Sequence, residues 1–182
     1  MLPDEPRPVR LMNTVWADRS GLHDDLTTTE GLTTWLGGTP TDAADLEAFR
    51  ALRQALRDLA ATITDDTREI AAARDRDAAV AAVNAAVRRT ATWPQLTVEN
   101  GDLVRRTATD TPSRPAEALA ATAAEAVELF TGPDRALLRA CYAPGCVLYF
   151  VKDHPRREWC SPGCGNRVRA ARHYRRTRAT DA

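Results

Sequence analysis

Four cysteines, Cys141, Cys146, Cys160 and Cys164, are the only ones in this 182-residue chain, and all lie near its C-terminus. Their spacing, C-x4-C-x13-C-x3-C, offers two close thiolate pairs on two tight turns, which is what a tetrahedral metal needs. Two disulfides, an iron–sulfur cluster and free thiols are the competing readings. The opening residues Met1-Leu2-Pro3-Asp4-Glu5-Pro6 supply neither the basic nor the apolar region of a secretory leader. A reducing cytoplasm is therefore the expected compartment, and cysteine pairs there ligate metal more often than they form bridges. Iron–sulfur clusters use denser cysteine runs, so zinc is the expected ion. Four thiolates close the coordination shell, so the zinc (Zn2+) is structural and does not activate water.

Net charge is zero, but its distribution is uneven. Residues 1–134 carry 14 arginines against 22 acids, a net −8, while residues 135–182 carry 11 basic residues against three acids, a net +8. A basic module on an acidic body points to an anionic partner, most simply nucleic acid. The alternative is that the two halves neutralise each other, within one chain or between the subunits of a homodimer. No apolar run approaches the ~20 residues of a membrane span, so no membrane partner is expected.

The periodicity before the cysteines is mostly helical. Leu11, Met12, Val15 and Trp16 predict a short first helix that Ser20-Gly21 closes. Thr27-x-x-Glu30 reads as a capping box ahead of Leu32, Trp35 and Leu36, with Gly37-Gly38 as the stop. Thr41 is the expected cap of the clearest amphipathic helix, whose apolar stripe is Leu46, Phe49, Leu52, Leu56, Leu59 and Ile63. An alanine-rich helix follows with Val80, Val83 and Val87 facing inward. Leu96 and Val98, then Asn100-Gly101, then Leu103, predict a β-hairpin with a type I′ turn. Residues 107–115 read as a polar linker. Ser113 caps a helix carrying Leu119, Ala123, Val127 and Phe130, which Thr131-Gly132-Pro133 ends, and a short helix with Leu137 and Leu138 leads to Cys141.

In the C-terminal stretch, Cys141-Tyr142-Ala143-Pro144-Gly145-Cys146 reads as a metal knuckle turned by Pro144-Gly145. Residues 147–151 suit a strand. Asp153-His154-Pro155 turns the chain, Arg156-Arg157-Glu158-Trp159 returns it to Cys160, and a basic helix begins near Cys164. Knuckle, hairpin and a helix bearing the last ligand make the layout of a treble-clef zinc finger. The expected fold class is therefore α+β, with a mostly helical N-terminal domain and a small β-hairpin (1–132) followed by a treble-clef-like zinc finger (133–182).

These residues resemble a known family. Trp159-Cys160-Ser161 and Cys164-Gly165-Asn166-Arg167, with Cys141 and Cys146, are similar to the CGNR zinc finger. Asn13-Thr14, Asp24-Asp25-Leu26 and Leu32-x-x-Trp35-Leu36 are similar to the ABATE domain that precedes that finger. The resemblance implies a zinc-binding protein of a family described as stress-induced transcription regulators. Read physically, Gly165 lets the backbone pass close to the metal site. Asn166 is expected to bond backbone groups around the ligands. Arg167 has two readings, a clamp on a carbonyl or carboxylate inside the module or a contact to phosphate.

The terminal helix carries Arg167, Arg169, Arg172, His173, Arg175, Arg176 and Arg178, with Val168, Ala171 and Tyr174 turned toward the finger. Arg169, Arg172 and Arg176 share a face suited to phosphate contact and to guanine reading in the major groove of double-stranded DNA. Arg156 and Arg157 would extend that patch. The helical body would then sense a small-molecule effector or dimerise. The alternative is a protein-interaction module in which zinc is purely structural, and single-strand or RNA binding is a third reading. No enzyme is expected. His23-Asp24-Asp25 is the only tight His/acid cluster and reads as capping, and no nucleophile elbow, phosphate loop or zincin helix occurs.

Overall fold

The computed structural model describes residues 4–71, 75–109 and 113–180. Helix α1, Arg7–Met12, is short because strands β1, Val15–Asp18, and β2, Gly21–Asp24, follow it at once as an antiparallel hairpin. Val15 and Trp16 thus belong to a strand and not to the predicted first helix. The Trp16 ring stacks on His23 of the opposite strand at 4.1 Å, a cross-strand pair that a single-strand periodicity does not reveal.

Helix α2, Thr29–Trp35, is capped by Thr28, whose hydroxyl accepts from the Gly31 N–H; the cap lies one residue beyond the expected Thr27. Helix α3, Ala43–Ile63, begins with a capping box between Asp42 and Asp45. Asp42 thus takes the place expected for Thr41, whose hydroxyl instead donates to the Thr29 carbonyl. The predicted stripe of α3 is real, with Phe49, Leu52 and Leu56 essentially inaccessible. Helix α4, Arg76–Val87, buries Val83 and leaves Val80 42% exposed, contrary to the inward reading.

Asn100 (φ 52°) and Gly101 (φ 88°) make the expected tight turn between β3, Thr92–Glu99, and β4, Asp102–Thr109. The predicted polar linker therefore begins as strand. Ser113 caps α5, Arg114–Thr131, through the Ala116 N–H. A 3-10 turn, Pro133–Leu137, then enters β5, Leu138–Ala140, which pairs antiparallel with β6, Tyr149–Val151. Leu138 is in a strand and not in a short helix. The chain ends in α6, Pro162–Thr180. No helix among the described residues is long and apolar enough to cross a membrane.

One core joins α1, α3, α4 and α5 to Leu138, Ala140 and Tyr149 of the β5–β6 pair. A second, smaller core holds the four cysteines with Ala143, Phe150 and Val168. Polar contacts bind the two. The Asn13 side chain donates to the Tyr149 carbonyl at 2.8 Å and accepts from its N–H at 2.9 Å, acting as one more strand partner for β6. Arg57 donates to the Met12 and Val147 carbonyls.

Arg68 makes the densest contact. Its Nε and Nη2 grip the buried Asp66 carboxylate at 2.9 and 2.7 Å, while Nη1 donates to the carbonyls of Cys141, Cys146 and Leu148. The Tyr149 hydroxyl donates to the same carboxylate at 2.7 Å. Burial alone would raise the Asp66 carboxyl, but the Arg68 pair and these hydrogen bonds hold it below the usual range. Burial and then the Asp66 hydrogen bond push the Tyr149 phenol up to about 12.

Arg68→Ala leaves a buried carboxylate and three carbonyls without their cation, so it should cost about 3–5 kcal/mol in chemical denaturation. Tyr149 keeps its proton more tightly when folded, so its contribution is whole below pH 10 and is lost as pH climbs to about 12. The stability advantage of wild type over Tyr149→Phe, measured by urea melts, should shrink across that interval.

Candidate metal centre and basic helix

The knuckle between β5 and β6 and the first turn of α6 bring the four cysteines together. Their sulfurs all lie within 4.8 Å of one another, and all four residues are buried. Cys146 and Cys160 are 3.7 Å apart and Cys160 and Cys164 are 3.4 Å apart. Disulfides require about 2.05 Å. A tetrahedron with Zn–S bonds of ~2.3 Å places sulfurs ~3.8 Å apart, and the cluster matches that scale.

Local chemistry fits the same ion. Backbone N–H groups of Cys160 and Ala143 point at the Cys141 sulfur, and that of Leu148 at the Cys146 sulfur. Ser161 caps α6 by accepting from the Cys164 N–H at 3.2 Å, so the last ligand sits at a positive helix end. Thiol hydrogen bonds from Cys146 and Cys160 hold Cys141 far below the ordinary thiol range, while sharing with Cys141 pushes Cys146 and Cys160 up. Four clustered sulfurs become thiolates together only when a dication offsets them. When bound, the zinc ties the knuckle to the start of α6; with its shell filled by sulfur, it has no site for substrate.

The finger's hairpin differs from the expected one. β6 pairs backward with β5 across the knuckle, and residues 156–159 are not a strand. Their role is set by Arg157, which donates to Glu5 at 2.6 Å and to the Val151 and Cys160 carbonyls, and pairs with Asp153 at 3.2 Å. Arg157 is thus a seam between the N-terminal segment and the finger, its guanidinium 4.9 Å over Phe150, and it is not on an open basic patch. Arg156 beside it is exposed.

Arg167, open to two readings in the sequence, donates to the Cys164 sulfur at 2.9 Å and so supports a ligand from outside the shell. Asn166 does not take that role. It is exposed and its amide oxygen accepts from Arg169 one turn on. Gly165 makes a close approach to a different neighbour than the metal: a Cβ there would lie 3.3 Å from the Trp159 ring.

Along α6, Val168 is buried and Ala171 half-buried, but Tyr174 is 57% exposed and stacks under Arg178 instead of facing the finger. Ala171 is the last residue of α6 with any burial, and residues 172–178 are all exposed. Arg169, Arg172, Arg175 and Arg176 are all exposed. Neither Arg172 nor Arg175 has a hydrogen-bonding or ionic partner among the described residues.

The His/acid cluster is held by structural contacts. His23 Nε2 meets both Asp18 and Ser20, Asp24 binds the buried Arg53, and Asp25 accepts from the Trp16 ring N–H. The residues that sequence reasoning missed are Asn13 as a strand mimic, Asp66, Arg68 and Glu5. Asn13 stood in the Asn13-Thr14 resemblance, but nothing in its spacing pointed across the chain to Tyr149.

Metal analysis of the purified protein should find about one zinc per chain, and chelation should unfold the second core. Cys160→Ala should lose both the metal and the stability it brings, read from zinc content and a thermal melt.

Two family models match the chain. Residues 5–133 match ABATE, described as "Putative stress-induced transcription regulator", and residues 137–177 match the CGNR zinc finger. A search of curated proteins finds no match. The first model spans most of the chain, and the buried four-cysteine cluster lies within the second. The chain belongs to the ABATE family and carries a CGNR zinc finger at its C-terminal end.

Proposed function

We propose that this protein is a zinc-dependent, cytoplasmic regulator of stress-responsive transcription that binds double-stranded DNA through α6. The observation that carries the reading is the character of that helix. It holds six arginines and no acid over 19 residues, and its arginines from Arg169 to Arg176 stand in solvent. The arginines that join body and finger are Arg57 and Arg68, which belong to the body, and Arg157, upstream of the helix.

Arg169, Arg172 and Arg176 follow one face at intervals of three and four, the geometry of a helix laid along a groove. Arg175 and Arg156 would add phosphate contacts at the edges. The zinc and Arg68 hold the knuckle from opposite sides, so the helix projects from a rigid base. The helical body would supply regulation, through an effector or through a second copy. No catalytic step belongs to this reading.

Log K for a duplex probe should fall with log salt at a slope of about −3 to −4.5, for three to five phosphate contacts at about −0.9 each. Replacing Arg172 and Arg176 by alanine should flatten the slope by about 2 and leave zinc content unchanged. No binding by the zinc-loaded protein at low salt would leave the assembly-module alternative, and preference for single-stranded probes would redirect the reading to unpaired nucleic acid.

A further inference from the structure

The helical body leaves an apolar groove open to solvent. Helices α3, α4 and α5 enclose a volume of about 560 Å³ floored by Leu59, Ile63, Val83 and Phe130, a size that suits a small molecule. Val80 and Val127 also line it and are 42 and 37% exposed.

The charged groups of the groove gather at one end. Arg76 is the first residue of α4, and Asp65 and Arg135 lie just past the C-terminal ends of α3 and α5. Neither guanidinium has a hydrogen-bonding or ionic partner among the described residues, Asp65 included. A cation is favoured beyond a helix C-terminus, where Arg135 stands, and disfavoured at an N-terminus, where Arg76 stands. The Asp75 carboxylate beside Arg76 caps the helix by accepting from the Ala78 N–H and forms no ion pair with it. A cation set against the dipole of its own helix and left unpaired adds nothing to the stability of that helix. Such local conflicts mark functional positions.

The groove is therefore amphipathic along its length. Val83 lies about two turns along α4 from Arg76, ~10 Å at 1.5 Å per residue, and Leu59 and Val127 lie similarly far back along α3 and α5. Asn84 sets an amide beside Val83, while the Thr62 and Thr131 hydroxyls are bonded to carbonyls of their own helices. A ligand that satisfies both ends carries an anionic head and an apolar tail of ~10 Å. Two cations against one acid leave a net +1 at the head end, which suits a monoanion and sets a phosphate dianion against Asp65. A carboxylate is the monoanion that a guanidinium fork holds best, with two parallel hydrogen bonds.

We propose that this groove binds a free monocarboxylic acid with a medium-length apolar tail. Arg76 and Arg135 hold the carboxylate, and the tail lies on Leu59, Val83 and Phe130. The assignment rests on the regulatory role proposed for the body and names the class of effector that would serve it.

The test is calorimetric titration of octanoate into the zinc-loaded full chain, with octanol, acetate, octylammonium and octyl phosphate as comparisons. Octanoate should bind and raise the melting temperature, and each comparison compound should bind at least tenfold more weakly. Arg76→Ala and Arg135→Ala should each weaken octanoate about tenfold and leave octanol unchanged. Val127→Asp should weaken octanoate and octanol together. All three positions are exposed, so zinc content and the unliganded melting temperature should stay at the wild-type values. Octanoate bound no tighter than octanol, a preference for octylammonium or octyl phosphate, or full octanoate affinity in the double arginine variant would overturn the proposal. No nucleic acid enters the readout, so failure here and failure of DNA binding are separable.

Discussion

The Arg68 guanidinium is where two unequal halves of this chain become one structure. A zinc knuckle turns its ligand sulfurs inward and its peptide carbonyls outward, and outward carbonyls need donors. Arg68 supplies one fork to three of them and its other edge to Asp66, whose second duty is to accept from Tyr149 of β6. A cation so enclosed would be costly alone. Here its charge is matched by Asp66 and its face lies 4.8 Å from the Tyr149 ring. Asn13 completes the seam by bonding both polar groups of the Tyr149 backbone. The finger is therefore built into the body's core and does not hang from it.

That arrangement changes what the charge asymmetry means. Counting residues suggests an acidic body and a basic tail, which points to an anionic partner and leaves mutual neutralisation as the alternative. The contacts run another way. The body reaches the finger with arginines, and the main carboxylate that meets a finger arginine is Glu5, which holds Arg157. Most of the +8 of residues 135–182 therefore remains on the surface, concentrated on a helix without a single acid. An ion pair that had consumed those arginines would have made α6 a strut. Arg172 and Arg175 stand in solvent with no ionic partner among the described residues.

What the sequence disclosed and what it hid divide along a physical line. Features carried by local chemistry were legible: the cysteine spacing, the Asn100-Gly101 turn, the Ser113 cap, the long stripe of α3. Features that depend on a partner far along the chain were not. Val15 and Trp16 fit a helical face until His23 is known to lie across from them, and a four-residue strand is too short for its period to compete. Asn166 looked like the residue that supports the ligands because it adjoins one, yet Arg167 has the reach to the Cys164 sulfur and Asn166 points to Arg169. With 24 arginines in the chain, no composition argument could say which would be buried as structural cations and which would stay exposed. That sorting is decided by which carbonyls and carboxylates the fold leaves in need of a donor.

The same sorting bears on how a body could influence a finger at all. The turn after α3 carries Asp65 at the groove rim and Asp66 beneath the knuckle, one residue apart. Asp65 sits at φ 48°, a backbone state that most side chains avoid, so the turn is held there by its surroundings on both sides. Whatever fills the groove meets this turn from above, while Arg68 and Tyr149 hold it from below. Asp66, Arg68 and the three carbonyls of Cys141, Cys146 and Leu148 form one hydrogen-bonded unit. The groove rim and the finger thus share one short turn, Asp65 facing the first and Asp66 the second.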